Sequence, residues 1–294
     1  MIKIWKSGDL IDVPVPSGLQ EIVRSHINTA SEPVVPKNAA TIMLVRDRIP
    51  VMEETLGQIE GKAEVFMLRR SKTMSFMPDA MVFPGGGVHA DDSNLQVPWI
   101  GPTAAEWAMR MHCDEHTARS VVVAAIRELF EECGVLLAGN NENSVVEDLT
   151  KPYWQNARMA IQCRELSFTE VLIRENLSIR SDLLGLRSHW VTPEFEPKRY
   201  NTYFFAALVP TGQLPDGKSS EASQVDWVVP ELLLSRAEQE GVLVLPPTAY
   251  NLSLIAQAQD ASTFVIEEVM VSQIMLSPIV DEETGEIRLV CRLP

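Results

Sequence analysis

Long hydrophobic runs are missing from this 294-residue chain. An uninterrupted apolar stretch such as Val121 to Ile126 falls far short of the roughly 18 residues that a membrane span needs, so a transmembrane helix is excluded. Lys3, Lys6, Asp9 and Asp12 interrupt the stretch Met1 to Pro14, which therefore lacks the apolar core of a secretory signal. Cysteine is scarce. Cys113, Cys133, Cys163 and Cys291 stand 20, 30 and 128 positions apart without a CxxC pair, which argues against a disulfide scaffold and for a reducing, cytoplasmic location. Positive charge is in deficit too: Lys and Arg number 25 against 40 Asp and Glu, a formal charge of −15. That is the wrong sign for holding a duplex or an anionic membrane by its phosphates, so neither is an expected partner. A small anionic ligand stays compatible where local basic groups and a bound cation invert the field. Neither a Gly-x-Ser-x-Gly elbow, a P-loop nor a dinucleotide fingerprint is present, so serine hydrolase, P-loop and Rossmann readings lack support.

What remains is an ordinary globular composition, 46% hydrophobic and 22% charged, with a mean hydropathy of +0.01. Pro33 and Pro36 set a short extension, residues 1–37, apart from one main domain over 38–294. Strands are expected at Ala39–Val45, Ala63–Leu68 and Ala80–Phe83, the last ended by Pro84-Gly85-Gly86-Gly87. Thr103 with Glu106 has the form of a capping box for a helix to about His112. A longer helix is expected over Glu115–Cys133, with Gly134 as its left-handed cap. Further on, Tyr203–Val209 and Val225–Val229 read as strands, Glu231–Glu240 and Thr248–Gln259 as helices, and Gln273–Val290 as a hairpin. Interleaved strands and helices predict an α/β fold, a sheet covered by helices on its faces.

The chemistry concentrates in AAIRELFEECGV, residues 124–135. Glu128, Glu131 and Glu132 stand at i, i+3 and i+4, so a helix gathers the three carboxylates on one face. Like charges so placed repel. The spacing alone fits either a solvated acidic face or a site for Mg²⁺ or Mn²⁺, hard cations that take oxygen ligands together with substrate phosphates. His112 and His116, with Cys113 between them, have a spacing that could hold zinc, the alternative being solvated polar side chains of the insertion.

This segment resembles the second half of the box of the Nudix superfamily, in which Arg-Glu, an aliphatic residue, any residue, Glu-Glu, any residue, Gly and an aliphatic residue follow one another. Arg127, Glu128, Leu129, Glu131, Glu132, Gly134 and Val135 fill those positions. Upstream, Phe83-Pro84-Gly85-Gly86 resembles the first half, with Gly86 as the box glycine and Asp92 where the family has Glu. Gly86 and Arg127 are 41 positions apart against 14 in an uninterrupted box, so 27 residues are inserted, at about 92–118. A box split this way, with Leu68-Arg69-Arg70-Ser71 before it and Arg199 to Phe205 after it, is similar to the coenzyme A diphosphatase branch.

The resemblance implies a Nudix-type α/β/α sandwich around a mixed sheet, with a helical insertion and C-terminal helices. It implies divalent-metal-dependent hydrolysis of a nucleoside diphosphate linked to another group, coenzyme A or an acyl derivative being the leading substrate. ADP-ribose, NADH or a nucleotide sugar are alternatives, as is a non-catalytic ligand-sensing module. By the same resemblance Glu131 and Glu132 are the principal ligands of Mg²⁺ or Mn²⁺, Glu128 is a further ligand or a base for the attacking water, and Arg127 orients the carboxylates. Gly85, Gly86 and Gly87 let backbone approach the diphosphate, Glu221 assists catalysis from a loop, and Arg70 with Ser71 contacts substrate. Arg69, Lys72, Lys198 and Arg199 are further candidates for holding phosphate. A homodimer is left open.

Overall fold

In the computed structural model, residues 4–29, 32–48, 62–71, 78–218, 222–281 and 284–294 are described. Along them run β1 (Leu10–Pro14), α1 (Gln20–Asn28), β2 (Lys37–Asp47), β3 (Ala63–Arg70), β4 (Met81–Val82) and β5 (Gly85–Gly87). The box insertion carries β6 (Trp99–Ile100) and α2 (Ala104–Met111), and then comes α3 (Glu115–Cys133). Beyond it lie β7 (Ala138–Gly139), α4 (Pro152–Gln162), α5 (Phe168–Arg174), β8 (Ser178–Arg180), β9 (Gly185–Val191) and β10 (Tyr200–Leu208). The chain continues through β11 (Ala222–Val228), α6 (Pro230–Glu240), α7 (Pro246–Gln257), α8 (Ala261–Ile266), β12 (Gln273–Ile274), β13 (Ser277–Val280) and β14 (Ile287–Arg292).

Among the described residues the central sheet holds eight strands, in the order β11-β3-β2-β10-β9-β12 with β4 on β3 and β5 on β2. It is mixed, since β2 lies parallel to β10 while β3 pairs antiparallel with β2 and β9 antiparallel with β10. Period-two alternation along β2 divides the core. Ala40, Ile42 and Leu44 pack with α3 residues such as Ile126 and Leu129. Met43 and Val45 turn to the other face, against Tyr250 and Leu252 of α7 and Phe264 of α8. Helices therefore cover both faces of the sheet, as an α/β/α sandwich requires.

Helix ends follow the local chemistry. Thr103 and Glu106 form the reciprocal capping box of α2, with Thr103 Oγ1 accepting from the Glu106 N–H at 3.2 Å. Asp114 caps α3 by accepting from the Thr117 N–H at 2.9 Å, and Gly134 ends it in the left-handed region at φ 67°. The expected C-terminal hairpin is smaller than the sequence suggests. It forms between β13 and β14, whereas Gln273 and Ile274 add to the central sheet as β12, parallel to β9. The other side of β14 is taken by β1, so residues from both ends of the described chain share a three-stranded sheet. Among the described residues no helix is long and apolar enough to cross a membrane.

Candidate functional site in the split box

Two elements far apart in sequence meet at the site. β5 runs antiparallel to β2, with Gly86 opposite Ala40, and the last turns of α3 pack beneath it. Glycine is required here by proximity: a Cβ on Gly86 would fall 2.4 Å from Glu128 Oε1, and one on Gly85 would fall 2.5 Å from the Ala40 carbonyl oxygen. The Gly85 N–H donates to Glu132 Oε2 at 2.8 Å, which ties the loop to the helix.

Arg127 organises the remaining carboxylates. Its Nε and Nη2 donate to Asp92 Oδ1 at 2.9 Å and Oδ2 at 3.0 Å, a bidentate pair between side chains only 3% and 1% exposed. Nη1 donates to Glu128 Oε1 at 2.7 Å and Glu131 Oε1 at 2.9 Å, and Nη2 also reaches the Gly87 carbonyl at 2.8 Å. The shorter Asp in place of the family Glu thus reaches the arginine. A short 3₁₀ turn, Ala90–Ser93, brings it there, and Asp92 Oδ2 also accepts from the His89 N–H at 2.7 Å. The 27 inserted residues leave the two halves of the box together.

Three carboxylates on one guanidinium, with Glu132 on the glycine loop, leave an excess of negative charge. Burial pushes the Glu128 carboxyl up to about 7, against the opposing pull of Arg127, with Glu131 repulsion adding to the rise. Burial alone would loosen the proton on Arg127, but the Asp92 hydrogen bonds and the Glu128 and Glu131 charges more than reverse this. Among the described residues no three His, Cys, Asp or Glu side chains converge on one point as ligands do; Arg127 and Gly85 hold the box glutamates instead. The donor set nevertheless fits a hard divalent cation in kind, being oxygen throughout and in charge excess.

A cleft of about 320 Å³ opens beside this cluster, lined by His89, Asp92, Arg127, Glu131, Arg164 and Phe168 among others. Its polar walls include two groups the sequence reading missed. Arg164 Nη2 lies 3.5 Å from His89 Nε2, and both come from loops without a recognisable pattern. Arg158 of α4 was equally illegible: its Nε donates to the Glu131 carbonyl at 2.9 Å and its Nη1 to Asp216 at 2.6 Å, so it secures the C-terminal end of α3.

The other expected residues are spread unevenly. Arg70 ends β3 with its Nε buried and without a hydrogen-bond partner among the described residues; Ser71 follows it, partly buried. Arg69 is committed to Asp79 through a bidentate pair at 2.8 and 3.1 Å. Arg199 is buried and donates to the carbonyls of Thr192 and Val34. Both are thus engaged in contacts within the fold, Arg69 in a pair 38% exposed on each side. Lys198 is exposed. Glu221 and Lys72 lie outside the described residues. His112 is the left-handed cap of α2, at φ 54°, and with Cys113 and His116 forms no metal-ligating group among the described residues.

A family model described as the NUDT19 Nudix domain matches residues 112–255. Putative nudix hydrolase 7 of Caenorhabditis elegans is 30% identical over 198 residues, covering 67% of this chain and 57% of that protein. Acyl-coenzyme A diphosphatase NUDT19 of Xenopus laevis is 25% identical over 225 residues, covering 65% of this chain and 59% of the relative. The chain thus spans less than two thirds of the length of these relatives. Among solved structures, a NUDIX hydrolase from Alicyclobacillus acidocaldarius shares the fold with a TM-score of 0.63, at 22% identity over 81% of this chain and 98% of that one. The chain belongs to the Nudix superfamily, and within it is similar to proteins described as acyl-coenzyme A diphosphatases.

Proposed function

We propose that the chain is a divalent-cation-dependent hydrolase that cleaves the diphosphate of coenzyme A or an acyl derivative, giving 3′,5′-ADP and the (acyl-)4′-phosphopantetheine. The observation that carries this reading is the reassembled box: Asp92, Arg127, Glu128 and Glu131 joined in one hydrogen-bonded cluster, with Glu132 on the glycine loop. Glu128, Glu131 and Glu132 are the residues that would hold Mg²⁺ or Mn²⁺. Bound there, the cation supplies Lewis acidity and neutralises phosphoryl oxygens. Arg127 fixes the orientation of Glu128 and Glu131, and Glu128 would serve as a further ligand or as the base for an attacking water. Gly85, Gly86 and Gly87 leave the backbone open to the diphosphate. Glu221 is the proposed assisting carboxylate.

Substrate choice rests on the relatives and on Arg70. The 3′-phosphate of coenzyme A is a dianion, and the Arg70 guanidinium at the end of β3, whose Nε has no hydrogen-bond partner among the described residues, suits it, with Ser71 beside it. Four unpaired cysteines suit a cytoplasmic setting. ADP-ribose, NADH and nucleotide sugars share the cleaved linkage and are the competing substrates. The test is a panel of these compounds with Mg²⁺, products identified by mass, with coenzyme A set against dephospho-coenzyme A. The expected result is preference for coenzyme A, mostly lost in Arg70→Ala. Faster cleavage of ADP-ribose or NADH would move the assignment to those substrates.

A further inference from the structure

The second site concerns the opposite face of the sheet. Along the β9–β10 pair Phe204 faces Ser188, but Phe205 faces Leu186, so Arg187 has no partner across the ladder and is the bulged residue. A bulge re-aims a side chain. Leu186 packs with the α3 core, while Arg187 turns toward α8, its guanidinium 5.4 Å from the Phe264 ring centroid. Gly185 makes room for this approach, since a Cβ there would collide with the Val265 carbonyl of α8.

Arg187 is 7% exposed, yet it is poorly satisfied for a buried cation. Nη2 donates to the Glu267 carbonyl, Nε is buried without a hydrogen-bond partner, and no ion pair to it forms among the described residues. Burial pushes its pKa down to about 10, with the Glu267 charge opposing, so it stays charged at neutral pH. Beside it lies a cavity of about 420 Å³ whose walls include Tyr250, Leu254, Phe264, Val271 and Ile274. That volume is within the range of small-molecule sites, roughly 300 to 1,000 Å³. Met270, 87% exposed, stands at the rim. Of the polar lining, Ser188 is spent on Asn251 and Gln257 on the Trp5 and Ser253 carbonyls, while Ser7, Ser272 and the Glu267 carboxylate are exposed to solvent, leaving Arg187 as the buried charge. An apolar chamber with one unsatisfied buried cation fits a ligand that is an anion at one end and hydrocarbon at the other.

We propose that this cavity binds an aliphatic monocarboxylate, the carboxylate on Arg187 and the tail among Tyr250, Leu254, Phe264 and Ile274. The site lies across the sheet from Glu128, Glu131 and Glu132 and does not depend on how those residues act. The probe is octanoate, titrated calorimetrically into the full chain beside octanol and acetate. Octanoate is expected to bind one to one, with octanol and acetate each at least about tenfold weaker, because one lacks the charge and the other the tail. Arg187→Gln is expected to bring octanoate down to the level of octanol. Met270→Asp, on the exposed rim where folding is not at stake, is expected to weaken octanoate severalfold and leave octanol unchanged. The proposal is overturned if octanoate gives no binding, if octanol matches it, or if folded Arg187→Gln binds octanoate as the wild type does. Should Arg187→Gln not fold, unchanged octanoate binding by Met270→Asp overturns it equally.

Discussion

Arg127 joins a buried ion pair to the glutamates of the box. Its bidentate grip on Asp92 is buried on both sides, while its third nitrogen reaches Glu128 and Glu131. Breaking such a pair strands a buried charge, so Asp92→Asn is expected to lose about 3 kcal/mol of stability, measured by urea unfolding. The two neighbouring glycines separate stability from activity. A Cβ on Gly85 meets backbone, the Ala40 carbonyl and Thr41 Cα at 2.5 and 2.7 Å, whereas one on Gly86 meets only the end of the Glu128 side chain. Gly85→Ala should therefore cost about 1 to 3 kcal/mol by overpacking. Gly86→Ala should melt close to wild type while its turnover collapses, because Glu128 must move aside. Equal melting temperatures for the two variants would contradict this division.

At the scale of elements, legibility in the sequence depended on whether the signals were local. Helix α3 was readable because its apolar stretch and the Gly134 that ends it are contiguous, whereas its N-cap, Asp114, emerges only in the structure. Its C-terminal glycine sits at φ 67° with Arg158 Nη1 only 2.7 Å from where a Cβ would be. Gly134→Ala should consequently cost about 1 to 2 kcal/mol and lower the midpoint of thermal unfolding, through left-handed strain and a displaced Arg158. Strand β9 was not readable: GLRSHWV looks polar, yet all seven residues are buried. Ser188 finds Asn251, His189 finds Asn201 and the bulge redirects Arg187, and no alternation survives those long-range choices. The pairing of β1 with β14 was hidden for a similar reason, since neither strand carries a sign of the other. In the site, the glutamates and glycines were legible as a motif, while Arg158, His89 and Arg164 come from segments whose proximity exists only after folding.

On the scale of the whole molecule, the acid limb of stability should reflect buried histidine. His189 stacks on Tyr203 with ring centroids 4.1 Å apart at 8°, and its pKa is lowered by burial, with repulsion from His112 adding to the effect and the Asn201 hydrogen bond opposing it. A depressed folded pKa means the unfolded chain takes up the proton first. Its contribution is therefore intact above the ordinary histidine value of about 6.5 and is lost as pH falls from there toward the lowered folded value. Calorimetry should show the melting temperature falling with acid in that window, and less steeply in His189→Gln. His89 is lowered in the same direction, so the variant removes part of the slope. A variant with the full wild-type slope would contradict the assignment. Across the fold, the glycine strand β5 and Asp92 meet the glutamates of helix α3 in one cluster despite 27 intervening extra residues, and the account stands on that cluster being the catalytic centre. The most direct measurement is the initial rate of coenzyme A cleavage at saturating Mg²⁺ in wild type, Glu131→Gln and Glu132→Gln, with the fold checked by circular dichroism. The account predicts equimolar 3′,5′-ADP and 4′-phosphopantetheine from the wild type and at least about a hundredfold loss in each folded variant. Near wild-type rates in both variants would contradict it.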